Sequence, residues 1–217
     1  MGSKRYAPVR ENLNRDNLIL RGIPVEYIEG TLNDYEMENT IKPFFNNYLT
    51  NLHDMYEDNI NLLLYGSNGS GKTFLASLVV KEAYRLRYNS HMTTLAHLIE
   101  LTFKANKSPE DIEELNNIKN AEFLVIDELG KENFNKSLSN VNLLEETLRQ
   151  GAKKGQVIIL CTNSNITGEE GLYNRYGASI KSLIEGNYLK LKFDYSDYRK
   201  KAFSKKDALK LLFEGIE

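Results

Sequence analysis

The chain has 217 residues, of which 41% are hydrophobic and 27% are charged, values that are typical of a globular protein and exclude a wholly disordered chain. The net charge of −2 excludes a uniformly basic nucleic-acid binder, and the single cysteine, Cys161, excludes an internal disulfide bond. The sequence has neither an apolar run of about 18 residues nor the apolar stretch of a signal peptide, so we expect a cytoplasmic protein that has no membrane partner.

The first forty residues are the least regular part of the sequence. Residues 1–3 have the appearance of a cloning remnant, and residues 1–20 are polar without a clear period, which indicates an arm or a frayed helix. Residues 22–41 contain five acidic residues and no lysine or arginine, a composition that is typical of a solvated segment. We therefore divide the chain into an N-terminal extension, residues 1–40, and one domain, residues 41–217.

Beyond residue 40, the hydrophobic pattern switches between helical and strand periods. Apolar residues at helical spacings predict an amphipathic helix over residues 40–56. Short apolar runs predict buried parallel strands, and the alternating run at residues 188–193 predicts a half-exposed edge strand. In chain order, the other predictions are a strand at 60–65, a helix at 72–87, a strand at 92–95, a helix at 95–104, a helix that starts at Pro109 after a Ser108 cap, a strand at 123–127, a helix ending near Gly151 or Gly155, and a strand at 157–162. Strands that alternate with helices predict an α/β domain whose helices cover both faces of a parallel sheet.

Residues 66–73 match the phosphate-loop pattern G-x-x-x-x-G-K-[ST] in full, between a predicted strand and a predicted helix. Glycines allow the backbone to curl so that successive N–H groups point at one phosphate, and the positive end of the helix dipole adds to this attraction. We therefore expect ATP or ADP to bind here, with the Lys72 ammonium on the β- and γ-phosphates and the Thr73 hydroxyl on Mg²⁺. The predicted nucleotide-binding residues of the loop are Gly66, Ser67, Asn68, Gly69, Ser70, Gly71, Lys72 and Thr73.

Polar side chains at two strand ends complete the predicted site. Asp127 ends an apolar strand, and the carboxyl ends of parallel strands meet at one edge of a sheet, so we expect Asp127 to complete the Mg²⁺ shell. Glu128, one position further, is expected to accept a proton from the water that attacks the γ-phosphate, or to orient that water. Asn163 follows the strand at residues 157–162 and is a second candidate for holding the water, although asparagine also commonly begins turns.

With these residues, the sequence resembles the bacterial and phage helicase loaders of the DnaC/DnaI type, an IstB-like branch of the AAA+ ATPases. The resemblance covers roughly residues 22–201 and is carried by four motifs. These are residues 66–73 (GSNGSGKT), 123–130 (FLVIDELG), 160–165 (LCTNSN) and 194–201 (DYSDYRKK). The first two are shared by many AAA+ proteins, and the last two narrow the match towards loaders.

The resemblance implies an AAA+ core with a five-stranded parallel sheet and no separate C-terminal lid domain. It gives Asp127 the Walker B role, Glu128 the catalytic role and Asn163 the sensor-1 role. It also implies that Arg199 contacts the γ-phosphate as sensor 2, although a solvated charge in a basic tail is the other interpretation.

The family further expects an arginine finger in a helix shortly before the last strand. Residues 179–184 (SIKSLI) occupy that region and contain no arginine. Lys181 or Arg175 is a possible cation for a neighbouring subunit, although both also fit ordinary solvated charges, and a lysine lacks the forked guanidinium. We therefore expect slow hydrolysis by the isolated protein.

Taken with the resemblance, the sequence predicts an ATPase that loads a hexameric replicative helicase onto single-stranded DNA, in a bacterial cell or a phage-infected host. ATP would act as a switch, and ATP or the partner would drive self-association. Residues 97–107, with Phe103, Lys104 and Lys107, are one candidate for contact with the DNA, although a surface helix with its phenylalanine in the core fits equally. Two alternatives are an IstB-type transposition helper ATPase and an ATP-gated adaptor or inhibitor with little turnover, which the missing arginine favours.

Overall fold

The computed structural model describes residues 13–36, 40–104, 106–132 and 138–194. Within these ranges, parallel strands form one five-stranded sheet in the order β2-β3-β4-β1-β5. The strands are β1 Asn61–Gly66, β2 Ser90–Thr94, β3 Phe123–Leu129, β4 Val157–Thr162 and β5 Tyr188–Phe193. The helices are α1 Arg15–Leu20, α2 Ile41–Thr50, α3 Leu52–Glu57, α4 Lys72–Arg85, α5 Leu95–Phe103, α6 Pro109–Lys119, α7 Leu138–Lys154 and α8 Leu172–Asn187, with short 3-10 helices at Val25–Tyr27 and Leu32–Asp34. No helix in the described ranges combines the length and the hydrophobicity needed to cross a membrane.

Successive residues of a strand point to opposite sides of the sheet, and along β1, β2, β3 and β4 both sides are largely buried, whereas the edge strand β5 is half-exposed. In β1, Leu62 and Leu64 belong to the core on the face covered by α1, α2, α3 and α4. Leu63 belongs to the core on the other face, which is covered by α5, α6, α7 and α8. The same alternation runs along β4, where Ile159 faces the first core and Leu160 the second. The structure therefore confirms the predicted α/β domain with helices on both faces of a parallel sheet.

Local polar contacts explain where the element boundaries differ from the predictions. β2 begins at Ser90, two residues earlier than predicted, because the buried Ser90 hydroxyl donates to the carbonyl of Val80 at 2.9 Å and so pairs within the core. The predicted helix at 40–56 is two helices that meet at Asn51, whose side-chain amide donates to the Asn47 carbonyl at 2.9 Å and competes with the helix backbone.

The segment before α2 packs on the sheet. Leu18 and Ile23 are buried in the same core as the inner face of α4. The backbone N–H of Met92 in β2 donates to the carbonyl of Arg21 at 2.8 Å, and the Arg21 guanidinium lies 4.1 Å from the centre of the Tyr84 ring. Four acidic side chains of residues 22–41, those of Glu26, Glu29, Asp34 and Glu36, are exposed, as the composition predicted. The domain boundary at residue 40 stays a prediction, and residues 1–12 lie outside the described ranges.

Candidate nucleotide-binding site

The phosphate loop connects β1 to α4 and lies against the end of β5. The N–H of Ser67 donates to the carbonyl of Phe193 at 2.8 Å. Gly66 has φ +125°, and a Cβ atom there would lie 2.4 Å from the same carbonyl oxygen, so no larger residue fits. Gly71 has φ +88°, and a Cβ atom there would lie 2.7 Å from the Tyr35 ring. The glycines therefore allow the loop to pass close to β5 on one side and to Tyr35 on the other.

Lys72 is the first residue of α4, and its side chain turns back into the loop. It is only 5% exposed, and its ammonium donates to the carbonyls of Gly66 at 3.0 Å and Ser67 at 2.6 Å, and to the Ser70 hydroxyl at 3.2 Å. The curled backbone thus holds a cation at its centre. Phosphate oxygens can replace these neutral acceptors with stronger charge-assisted partners, so the loop fits a bound nucleotide phosphate.

Asp127 lies beside Thr73, the residue that follows Lys72. The Thr73 hydroxyl and the backbone N–H of Glu128, at 2.7 Å from Oδ1, both hydrogen-bond the Asp127 carboxylate. Burial raises the pKa of Asp127, and these two hydrogen bonds oppose the rise. The structure therefore brings together the two oxygen donors that the sequence predicts for Mg²⁺, and a hydroxyl with a buried carboxylate is a chemistry that Mg²⁺ accepts.

Glu128 occupies the next position but has a different environment. Its side chain is exposed, and its carboxylate forms an ion pair with Lys131. Its backbone is in the left-handed region, at φ +58°. This conformation turns the side chain away from the line of β3 and onto the wall of the cavity that Lys72 and Asp127 also line. A carboxylate in this place, once released from Lys131, is available to a water beside a bound phosphate.

Asn163 directly follows β4 and lines the same cavity. The strand end before it is fixed, because the hydroxyl of Thr162 donates to the carbonyl of Leu129 at 2.7 Å and accepts from the N–H of Ser164 at 3.1 Å. Asn163, Asp127 and Glu128 therefore reach one space from neighbouring strands, as their positions in the sequence predict.

The cavity has a volume of about 560 Å³, within the size range of ligand sites. One wall consists of the phosphate loop and the ends of β3 and β4. The opposite wall is a part of the acidic segment that the sequence indicated only as solvated. Its lining residues are Glu26, Tyr27, Glu29, Gly30, Asp34 and Tyr35. The sequence reasoning missed this wall, and the only local signal for it was the set of aromatic and glycine residues between the acids.

Lys81, in the C-terminal half of α4, holds this second wall in place. Its ammonium donates to the carbonyls of Ile28 and Gly30, both at 2.6 Å, and to that of Tyr27 at 3.4 Å. Lys81 is 9% exposed, and burial lowers its pKa, while the nearby Glu29 and Asp34 charges act in the opposite direction. The Tyr27 ring packs edge-on against Phe74 of α4, with ring centres 5.6 Å apart. The wall is thus fastened to the helix that begins at the phosphate loop.

The family model of the IstB-like ATP binding proteins matches residues 27–170, well over half of the chain. The chain belongs to this family. Among curated relatives, the insertion sequence IS21-like putative ATP-binding protein of Bacteroides fragilis is 32% identical over 113 residues. The match covers 51% of this IstB-like chain and 41% of the relative, so the chain spans less than half of that protein's length.

Solved structures of replication proteins share the fold of this IstB-like domain. The crystal structure of the DnaC helicase loader aligns with a TM-score of 0.63 at 20% identity, over 78% of this chain and 99% of that chain. The replication initiator DnaA bound to AMPPCP and single-stranded DNA aligns with a TM-score of 0.60 at 19% identity, over 80% of this chain and 51% of that chain. At these identities the likeness shows the fold, which is that of an AAA+ P-loop ATPase domain.

Two of the remaining predicted cations of the IstB-like chain, Arg175 and Lys181, lie away from the nucleotide cavity. The Arg175 guanidinium donates to the carbonyl of Gly130 in its own chain. Lys181 is on the outer part of α8, half-exposed, with its ammonium 5.7 Å from the centre of the Tyr173 ring and 4.0 Å from the Glu185 carboxylate. Neither is among the residues that line the nucleotide cavity. A role for either cation in a neighbouring subunit stays a prediction, and Arg199, the predicted sensor 2, lies outside the described residues.

Proposed function

We propose that this protein is an ATPase that loads a hexameric replicative helicase onto single-stranded DNA. The observation that carries the proposal is the convergence of Lys72, Asp127, Glu128 and Asn163 on one cavity beside a phosphate loop. This arrangement supplies a phosphate-binding cation, a site for Mg²⁺ and a proton acceptor, which together are the requirements of ATP hydrolysis. The likeness to the DnaC helicase loader, which extends over 99% of that chain, supports a loader as the kind of protein that uses this ATPase domain.

In the proposed reaction, water attacks the γ-phosphate, and ADP and inorganic phosphate leave. The Lys72 ammonium exchanges its loop oxygens for β- and γ-phosphate oxygens. Thr73 and Asp127 would hold Mg²⁺, which would supply positive charge to the phosphates. The Glu128 carboxylate leaves Lys131 and accepts the proton of the attacking water, while the Asn163 amide orients that water. Hydrolysis then ends the state in which the protein holds its partners.

An exposed aromatic side chain at the end of α5 supports the proposed contact with DNA. Phe103 is 56% exposed, so it is available for stacking on a base and does not belong to the core. Lys104 pairs with Asp111 at 2.8 Å, and Lys107 donates to the carbonyl of Thr102 at 3.0 Å. Since these contacts occupy both ammonium groups, this part of one copy offers little free positive charge. We therefore propose that DNA binding requires several copies, assembled by ATP or on the helicase.

The curated relative favours a second candidate function. The Bacteroides fragilis protein is an insertion-sequence ATP-binding protein, and its 32% identity is higher than that of the helicase loader. A transposition helper that brings DNA to a transposase would use the same ATP site. An ATP-gated adaptor with little turnover is a third candidate, supported by the absence of arginine from residues 179–184.

Capture of partners with and without ATP tests the proposal. The tagged protein is incubated with the replicative helicase, an IS21-type transposase or the cellular helicase loader of the same host, in ATP–Mg²⁺ or in buffer alone. The Lys72→Ala variant serves as the control, because it lacks the phosphate-binding cation. The proposal expects ATP-dependent capture of the helicase by the wild type and none by the variant. ATP-dependent capture of the transposase, or of the host loader alone, would replace it with the second or third function.

A further inference from the structure

The turn that follows β3 has an unusual backbone. Glu128 is at φ +58° and Gly130 at φ +93°. The left-handed region is unfavourable for an L residue with a side chain, so a glutamate there needs support from surrounding contacts. Such support is relevant to function, because Glu128 is the proposed proton acceptor.

Three side chains that come together behind this turn supply the support. The N–H of Gly130 is shared between the Tyr176 hydroxyl, at 2.9 Å, and the Glu132 carboxylate, at 3.0 Å. The Tyr176 hydroxyl in turn donates to the other Glu132 oxygen, and the Arg175 guanidinium donates to the Gly130 carbonyl. Side chains therefore bind both the N–H and the carbonyl of Gly130, and two of these side chains belong to α8.

This network is built inside the protein. Tyr176 is 2% exposed and Glu132 is 7% exposed. Burial and the Glu132 carboxylate raise the pKa of Tyr176 far above its ordinary value, so the hydroxyl stays protonated and remains a donor. A buried carboxylate that lost this donor would be poorly solvated, which makes the hydroxyl contact costly to break.

The end of β4 holds the turn from a second direction. The Thr162 hydroxyl donates to the carbonyl of Leu129, at 2.7 Å. Between these anchors, Glu128 has its N–H on the Asp127 carboxylate, at 2.7 Å, and its carbonyl accepts the N–H of Lys131 at 3.0 Å. The backbone of Glu128 is therefore fixed on both sides, while its side chain is left exposed at the cavity.

We propose that Tyr176, Glu132 and Arg175 form a clasp that positions the Glu128 carboxylate for attack of water on the γ-phosphate. They are positioning residues, since none of them lines the nucleotide cavity. The inference rests on the proposed hydrolytic role of Glu128, and it gives Arg175 a function within its own chain. Because α8 carries two of the three residues, a partner that displaces α8 would change hydrolysis without touching the nucleotide.

The Tyr176→Phe variant tests the clasp, since it removes only the hydroxyl. We expect kcat for ATP hydrolysis to fall about 10-fold, because small displacements of a reacting group are costly, while the Kd for ATP–Mg²⁺ changes less than about 2-fold. Tyr173→Phe is the matched control on the same helix, because the Tyr173 hydroxyl has no hydrogen-bond partner among the described residues. An equal loss of kcat in both variants would overturn the proposal.

A double substitution separates positioning from a general effect on the structure. In the Glu128→Gln background, where the proton acceptor is already absent, Tyr176→Phe should cause no further loss of the residual turnover. A further loss of the same size would show that Tyr176 acts independently of Glu128. Should Tyr176→Phe fail to fold, Glu132→Gln changes the same contact with a side chain of equal size, and the same results are expected.

Amide hydrogen exchange gives a readout that does not need turnover. Residues 128–132 should exchange faster in Tyr176→Phe than in the wild type or in Tyr173→Phe, because the Gly130 N–H loses one of its acceptors. Unchanged exchange would overturn the clasp even if the wild type hydrolyses ATP. If the wild type binds ATP but does not hydrolyse it, the proposed function fails, and the exchange result still decides whether Tyr176 holds the turn.

Discussion

Lys81 offers a sharp test of how the nucleotide cavity is built. Its ammonium is the common donor to three carbonyls of the second wall. The Lys81→Met variant removes the ammonium and keeps a stem of similar length. The carbonyls of Ile28 and Gly30 then lose their charged partner.

The size of the effect follows from the number of hydrogen bonds lost. Two bonds of 2.6 Å connect the ammonium to the wall, and a third, at 3.4 Å, is weak. A hydrogen bond to a charged group contributes about 1.5 kcal/mol at the lower end of its range, so the free energy of unfolding should fall by about 3 kcal/mol. For a chain of this size, that loss lowers Tm by roughly 6–12 °C. Because the wall also lines the cavity, ATP should bind about 10-fold more weakly, which corresponds to about 1.4 kcal/mol.

Urea unfolding gives the stability of the variant, and calorimetric titration gives its affinity for ATP–Mg²⁺. Lys42→Met is the matched control, because Lys42 of α2 makes only one, longer hydrogen bond to the wall segment, 3.2 Å to the Asn33 carbonyl, at the surface of the protein. The control should stay within about 0.5 kcal/mol of the wild type. If Lys81→Met were equally close to the wild type in stability and in ATP affinity, the wall would not depend on Lys81 and the reasoning would be refuted.

Three further substitutions address the predicted roles of the site. Lys72→Ala should abolish tight binding of ATP–Mg²⁺ in a calorimetric titration, and wild-type affinity would exclude the phosphate-loop assignment. Glu128→Gln should bind ATP normally but hydrolyse it at least about 100-fold more slowly in a steady-state phosphate assay, so unchanged turnover would exclude Glu128 as the proton acceptor. Burial raises the pKa of Asp127 above its unfolded value, so the ionised carboxylate destabilises the fold as pH rises through that range. Without Mg²⁺, Asp127→Asn should therefore be more thermostable than the wild type at pH 8, with the difference lost below about pH 4, and a variant less stable than the wild type at pH 8 would contradict this.

The sheet and the phosphate loop were predictable because their signals are local. Residues 157–162 are continuously apolar up to the final threonine, and the structure buries every one of them. The loop motif specifies its own conformation through glycines at positions such as Gly66, where a side chain would meet the neighbouring strand. The placement of Asp127, Glu128 and Asn163 in one site was predictable because they lie at or near strand ends, and parallel strands bring their carboxyl ends to one edge of the sheet.

The second wall was not predictable, because it depends on contacts between residues far apart in the chain. An acidic segment without lysine or arginine indicates solvation, and the acids that the structure describes there are indeed exposed. Its backbone is held by Lys81, which lies 53 positions after Ile28 and donates to the backbone carbonyls of Ile28 and Gly30. Every residue has a backbone carbonyl, so such contacts leave no signal in the sequence. The contact between Tyr176 and the turn after β3 spans 46 positions and was missed for the same reason.

α8 is an element that the sequence reasoning did not derive from its residues. Gly177, at φ 86° and ψ 177°, interrupts the helix, although the buried residues Leu172, Tyr176, Ile180 and Ile184 recur every four positions across it. This spacing was overlooked in the sequence, and only the family resemblance led us to expect a helix there. The same kink separates Tyr176, which contacts the turn after β3, from Lys181 on the outer surface.

ATP bound in this site is proposed to drive the loading of a replicative helicase, and this is the central claim to test. The most direct measurement is assembly of the helicase on a closed single-stranded DNA circle, read as unwinding of a short annealed strand. With ATP–Mg²⁺, the wild-type protein should accelerate unwinding, Lys72→Ala should not, and Glu128→Gln should hold the helicase on the circle without releasing it for unwinding. No acceleration by the wild type, or equal acceleration by Lys72→Ala, would contradict the claim.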